Sequence, residues 1–141
     1  MKTLTNIVIL TGLYLFCHSN LYAQKSDSKS KYIHPTIVSD SVFQNVVLSQ
    51  EYAAVDFWAI WCKPCQLFST EYEQVAKKFY KKVSFYKLDF DKCQITANEY
   101  NVKMIPVLII FKNGKEVKRY VGLTAKERII FDIEEIIKTT K

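Results

Sequence analysis

Two cysteines set three apart in Trp61-Cys62-Lys63-Pro64-Cys65 are the residues best equipped for chemistry in this 141-residue chain. The apolar run Ala53-Ala54-Val55-Asp56-Phe57-Trp58-Ala59 precedes them and reads as a buried strand. The segment from Cys62 onward reads as a helix, so the pair stands at a strand-to-helix junction. The first turn of a helix puts residues i and i+3 on one face, and the two sulfurs can reach each other. The helix N-terminus also offers unpaired N–H groups and partial positive charge. Both favour thiolate over thiol at Cys62, and the thiolate is the nucleophile in redox chemistry.

The other two cysteines are Cys17 and Cys93. Cys17 lies in an N-terminal segment unlike the rest of the chain. Lys2 precedes a mostly apolar stretch, Ile7 to Phe16, then polar His18-Ser19-Asn20 and Leu21-Tyr22-Ala23. That order reads as a secretory signal over residues 1–23, with cleavage after Ala23, and so as an exported protein, periplasmic or secreted. The apolar part is shorter than the ~20 residues that span a bilayer, which sets the signal above an uncleaved anchor. Residues 24–32 are polar, rich in Ser and Lys, and read as a flexible linker. Cys93 is then an odd thiol, either a small buried hydrophobe or a regulatory or intermolecular thiol. A structural zinc site would need a second ligand pair, and the mature chain offers Cys93 and His34, so no metal is expected. A purely structural disulfide closing so short a loop would add little stability.

Hydrophobic residues make up 49% of the chain and aromatic residues 14%, which suits one globular domain over residues 33–141. The formal net charge is +6. Lys77, Lys78, Lys81 and Lys82 fall at helical spacing and read as a solvated face. No nucleic-acid motif accompanies them, and no nucleic-acid partner is expected.

The elements that must hold the cysteine pair are legible in the periodicity. Ile37-Val38 predicts a short strand, and Ser39 or Asp40 caps a helix to about Leu48. After the buried strand, a long helix from Cys62 carries Leu67, Phe68, Tyr72, Val75, Ala76, Phe79 and Tyr80 near helical period. Val83 to Phe90 alternates as a strand, with Val83, Phe85, Lys87 and Asp89 on one face. Gln94 to Tyr100 predicts a short helix, and Val107 to Lys112 an apolar strand. Asn113-Gly114 predicts a tight hairpin into Glu116–Val121. Thr124-Ala125-Lys126-Glu127 matches a capping box. Ile129, Ile130, Ile133, Ile136 and Ile137 then draw an apolar stripe on a last helix. The order β-α-β-α-β-α-β-β-α implies an α/β protein: a central mixed, mostly parallel sheet with helices on both faces and an antiparallel hairpin edge.

In these motifs the chain resembles the thioredoxin family. Val55-Asp56-Phe57-Trp58-Ala59 leading to Trp61-Cys62-Lys63-Pro64-Cys65 is similar to the family's active-site strand and loop. Ile105-Pro106 before Val107–Gly114 matches its second signature, and Val121-Gly122 falls at its third loop. The resemblance covers roughly Ile33 to Lys138 and implies the thioredoxin fold. Three positions depart from the common pattern. Lys63 replaces glycine, Val107 replaces threonine, and Thr70 replaces a helix-kinking proline.

The resemblance also implies roles. Cys62 is the exposed attacking thiolate and Cys65 the shielded resolving thiol, so that Cys62–Cys65 is the redox disulfide. Lys63 adds a cation that favours the anion. Pro64 fits the first helical turn and restrains the loop. Asp56, in an apolar strand, should be held protonated near neutral pH by burial, and the resemblance makes it the proton partner of Cys65. Lys87 resembles the family lysine that pairs with that aspartate, although its residue type and spacing fit a snorkelling surface lysine nearly as well. Most X-Pro bonds are trans, but the resemblance makes Ile105-Pro106 cis, facing the cysteines. Trp61, Ile105, Pro106, Val121 and Gly122 then rim a groove in which an extended substrate peptide can pair strand-like. Trp58 reads as core packing.

The expected function is thiol–disulfide oxidoreduction on protein disulfides in the cell envelope, with no metal, flavin or nucleotide cofactor. The pattern favours a reductant, which outside the cytoplasm implies a membrane thiol-relay electron donor. A monomer is expected. Rival readings are a dedicated reductant for cytochrome c maturation, a disulfide donor or isomerase, and a non-enzymatic binding module using the same groove.

Overall fold

A computed structural model describes residues 34–139 of the chain. The secretory-signal and linker readings fall outside the described residues.

Five strands form one sheet: β1 (Thr36–Val38), β2 (Tyr52–Trp58), β3 (Ser84–Asp89), β4 (Val107–Lys112) and β5 (Lys115–Val121). Their spatial order is β1-β3-β2-β4-β5. β1 and β2 both run parallel to β3, β4 runs antiparallel to β2, and β5 antiparallel to β4. The sheet is therefore mixed as expected, but the antiparallel part begins at β4 rather than at the hairpin. Strand periodicity carries no direction, and nothing in Val107–Lys112 distinguishes the two orientations.

Four helices cover the sheet: α1 (Asp40–Val46), α2 (Lys63–Phe79), α3 (Gln94–Glu99) and α4 (Lys126–Lys138). β2 is central and buried on both faces, which is why it reads as a continuous apolar run. Its alternate residues enter different cores. Ala53, Val55 and Phe57 pack with Phe43 and Val47 beside α1 and with Ala97 of α3. Tyr52 and Ala54 pack with Phe68, Tyr72, Val75 and Ala76 of α2 and Ile129 and Ile133 of α4. Asp56, two residues after Ala54, is thereby aimed at the α2–α4 layer. Ile130, Ile136 and Ile137 pack against the same layer, so the predicted stripe is the buried face of α4.

Tyr72 fixes α2 on the sheet. Its hydroxyl lies 2.7 Å from Ala54 O and 2.9 Å from Tyr86 O, which share its proton, and it accepts from Tyr86 N–H at 3.2 Å. One side chain thus ties the helix to β2 and β3 together. The Asn113-Gly114 hairpin forms with φ of 49° and 73° at its two residues, as a two-residue turn of this type requires.

Two expected caps are made differently. Ala125, not Thr124, is the N-cap of α4, and it makes no side-chain cap bond. Lys126 instead reaches α2, donating to Gln74 Oε1 at 2.7 Å and lying 3.5 Å from Glu71 Oε2. Ser39 is the N-cap of α1 but makes no cap bond, its hydroxyl meeting that of Ser41. Asp40 serves a distant helix: its carboxylate accepts from the N–H groups of Ile95 and Thr96 in the first turn of α3. Burial opposes ionisation of Asp40, and hydrogen bonds from the Thr96 side chain and from these two N–H groups outweigh it, holding the carboxyl below its ordinary range.

Candidate active site

The chain leaves β2 at Trp58 and enters α2 at Lys63, with Cys62 as the N-cap in extended conformation. Cys62 and Cys65 are joined by a disulfide with a Cα–Cα distance of 5.2 Å. The backbone N–H of Cys65 donates to Cys62 Sγ at 3.1 Å. A helix-terminal N–H is thus already aimed at the sulfur that would carry negative charge once the bond opens. Lys63 and Pro64 occupy the first two helical positions and are exposed. α2 then runs without interruption through Thr70 to Phe79.

The expected contrast between an exposed and a shielded cysteine is small in this disulfide form. Cys62 is 4% exposed and Cys65 1%. The cause is packing: the two cysteines cluster with Ala59, and Trp58 and Ile105 lie against them. Cys93 is buried in the opposite core, where burial pushes its thiol above the ordinary value. It is a small core residue, and its S–H faces Val38 O at 3.8 Å.

The Ile105-Pro106 bond is cis. Ile105 reaches the cysteine cluster, and Gly122 N–H donates to Pro106 O at 2.8 Å, so three segments distant in sequence converge. Gly122 has φ +81°, a conformation that favours glycine. Val107, after the proline, is buried and pairs with Val121 across β4 and β5. Val121 is exposed, as is Trp61, the residue before Cys62. Trp61 is held by Asp91, whose Oδ2 accepts from its indole N–H at 2.7 Å. Sequence reasoning missed Asp91, because nothing in a local pattern links residues thirty apart.

In β2, the strand that leads to the pair, Asp56 has no exposed surface, and neither carboxyl oxygen has a hydrogen-bond partner among the described residues. Burial pushes its pKa up to about 7, against the pull of Lys87. Asp56 and Lys87 are direct partners across β2 and β3. The Lys87 side chain is only 16% exposed, so it is not a snorkelling surface lysine. Its Nζ stands 3.6 Å from Asp56 Oδ2 and 4.8 Å from the centre of the Trp58 ring. Its hydrogen bond goes to Ser69 Oγ at 2.8 Å. Trp58 is therefore both packing for the cysteines and a platform for the ammonium. Ser69 was also missed, although its position one turn beyond Cys65 puts it on the same helical face. Among the described residues, no three His, Cys, Asp or Glu side chains gather as a metal site.

A disulfide at a helix N-terminus, with a helix-terminal N–H on one of its sulfurs, makes this a dithiol–disulfide protein. The family model described as Thioredoxin matches residues 34–135, and the chain belongs to the thioredoxin family. It is 36% identical over 101 residues to the M-type chloroplastic thioredoxin of Spinacia oleracea, covering 71% of this chain and 56% of that one. It is 33% identical over 115 residues to the chloroplastic thioredoxin M4 of Arabidopsis thaliana, covering 81% and 60%. With the thioredoxin of Alicyclobacillus acidocaldarius subsp. acidocaldarius it shares 32% over 101 residues, 72% of this chain and 96% of that one. The chain thus spans little more than half the length of the two plastid relatives and nearly all of the bacterial one.

Proposed function

We propose that the protein is a thiol–disulfide oxidoreductase that reduces protein disulfides. The observation that carries this is the Cys62–Cys65 disulfide at the head of α2, with the Cys65 N–H on Cys62 Sγ. In the dithiol form, the Cys62 thiolate attacks one sulfur of a substrate disulfide. A Cys62–substrate S–S bond forms and the second substrate sulfur leaves as thiolate. The Cys65 thiol passes its proton to Asp56 and attacks Cys62 Sγ. That step closes the Cys62–Cys65 bond and releases the first substrate sulfur, so two electrons move to substrate. Asp56 suits the transfer because burial lets it hold or release a proton near neutral pH. Lys87 offsets its charge when ionised. Trp61, Lys63, Pro64, Ile105, Pro106, Val121 and Gly122 form the face that receives the substrate chain.

The finer reading is a monomeric reductant of the cell envelope, recharged by a membrane thiol-relay partner. Its support is the N-terminal sequence order of Lys2, an apolar run and Ala23. The test of activity is dithiothreitol-driven reduction of insulin. The unaltered chain accelerates precipitation of the freed insulin chains and Cys62→Ser does not; equal rates for both contradict the proposal. The test of direction is the reduction potential of the pair. A value near the thioredoxin figure of about −270 mV supports a reductant, and one near about −120 to −180 mV makes it a disulfide donor or isomerase.

A further inference from the structure

Lys87 faces two acceptors and hydrogen-bonds only one. Asp56 Oδ2 is 3.6 Å from its Nζ, beyond hydrogen-bond range, while Ser69 Oγ is at 2.8 Å. Ser69 is half-buried on α2, one turn past Cys65, and Lys87 Nζ also lies over the Trp58 ring, 4.8 Å from its centre. Asp56 is left as a buried carboxyl with both oxygens unbonded among the described residues.

We propose that Ser69 is a positioning residue: by taking the Lys87 hydrogen bond, its hydroxyl holds the ammonium off Asp56 and so sets how firmly Asp56 keeps its proton. The inference rests on the role given to Asp56 above and deepens it. The effect is positional: the ammonium has three N–H donors, but its one nitrogen is anchored 2.8 Å from Ser69 Oγ and there stands 3.6 Å from Asp56 Oδ2. An ammonium in a low-dielectric layer seeks acceptors, and a hydrogen-bonded contact with a carboxylate favours the ionised carboxyl strongly. With Ser69 present, Lys87 Nζ is anchored short of Asp56, and burial dominates. Without it, the nearest remaining acceptor is Asp56 Oδ2, and the pair closes. The other groups around Asp56 do not compete for this proton. Tyr72 from α2 is committed to the backbone of Ala54 and Tyr86. β4 presents Leu108 beside Asp56, α4 presents Ile129 and Ile133 to the same layer, and Cys62 and Cys65 are joined as a disulfide.

The experiment tracks the Asp56 carboxyl carbon by NMR through a pH titration of the oxidised full chain. Ser69→Ala lowers the Asp56 midpoint by about one pH unit. Ser69→Thr, which keeps the hydroxyl, titrates as the unaltered chain does. Lys87→Gln raises the midpoint, and Ser69→Ala then adds nothing in the Lys87→Gln background, because the serine acts through the lysine. A midpoint unchanged or raised in Ser69→Ala, a threonine variant that behaves like alanine, or a serine effect that persists without Lys87 each overturns the proposal. Insulin reduction by the unaltered chain tests the function independently of this titration.

Discussion

Asp56 and Lys87 are register partners on adjacent parallel strands, yet 3.6 Å separates carboxylate from ammonium and no hydrogen bond joins them. Burial outweighs the attraction of Lys87, so the carboxyl is a net burden whenever it is ionised. Its proton is held more tightly folded, to about pH 7, than unfolded, where the ordinary value is 3.8. Between those values the folded state binds more protons, so this group makes stability fall as pH rises. The penalty is absent below about pH 4 and complete above about pH 7, and amounts to roughly 4 kcal/mol at most. Asp56→Asn is therefore expected to match the unaltered chain near pH 4 and to exceed its stability by a few kcal/mol, about 2–4, near pH 8. Urea unfolding at the two pH values measures the difference; a variant less stable near pH 8 contradicts the burial account.

The same substitution removes the acceptor for the Cys65 proton. Asp56→Asn should slow insulin reduction about ten-fold to a hundred-fold near pH 7 and much less at higher pH, where Cys65 can ionise unaided. A pH–rate profile that keeps its shape in the variant would remove Asp56 from the mechanism.

Tyr72 predicts a different outcome, a loss of stability. Removing its hydroxyl leaves Ala54 O, Tyr86 O and Tyr86 N–H without that partner in a buried layer. Tyr72→Phe should cost on the order of 2 kcal/mol, read as a lower urea midpoint with unchanged slope. A midpoint equal to that of the unaltered chain shows that the sheet backbone is satisfied without it.

Asp40 caps α3 from across the fold, so Asp40→Ala should cost about 1 kcal/mol and speed amide exchange at Ile95 and Thr96 first. Since its folded pKa is lowered, the contribution is present above the unfolded value and is lost as pH falls through the folded one. Exchange accelerated evenly over the whole domain would contradict a local cap.

Local chemistry was legible in the sequence and long-range partnership was not. β2 announced itself because a strand buried on both faces has few polar positions, and Asp56 stood out for the same reason. The hairpin was legible because Asn113-Gly114 suits a turn with two positive φ values. The direction of β4 was not, because alternation is the same in either sense. The Thr124 capping box failed although its pattern is intact, since Ala125 takes the N-cap and Lys126 crosses to α2. Asp91 under Trp61, Asp40 on α3 and Ser69 beside Lys87 are ties between segments distant in sequence, which no local pattern encodes.

The most direct test of the central claim is trapping of the mixed disulfide. Reduced Cys65→Ser, mixed with a protein disulfide, should accumulate a covalent adduct through Cys62 that dithiothreitol releases, while reduced Cys62→Ser accumulates almost none. Adducts formed equally by both variants, or only through Cys65, would contradict Cys62 as the attacking sulfur and with it the mechanism proposed for the pair.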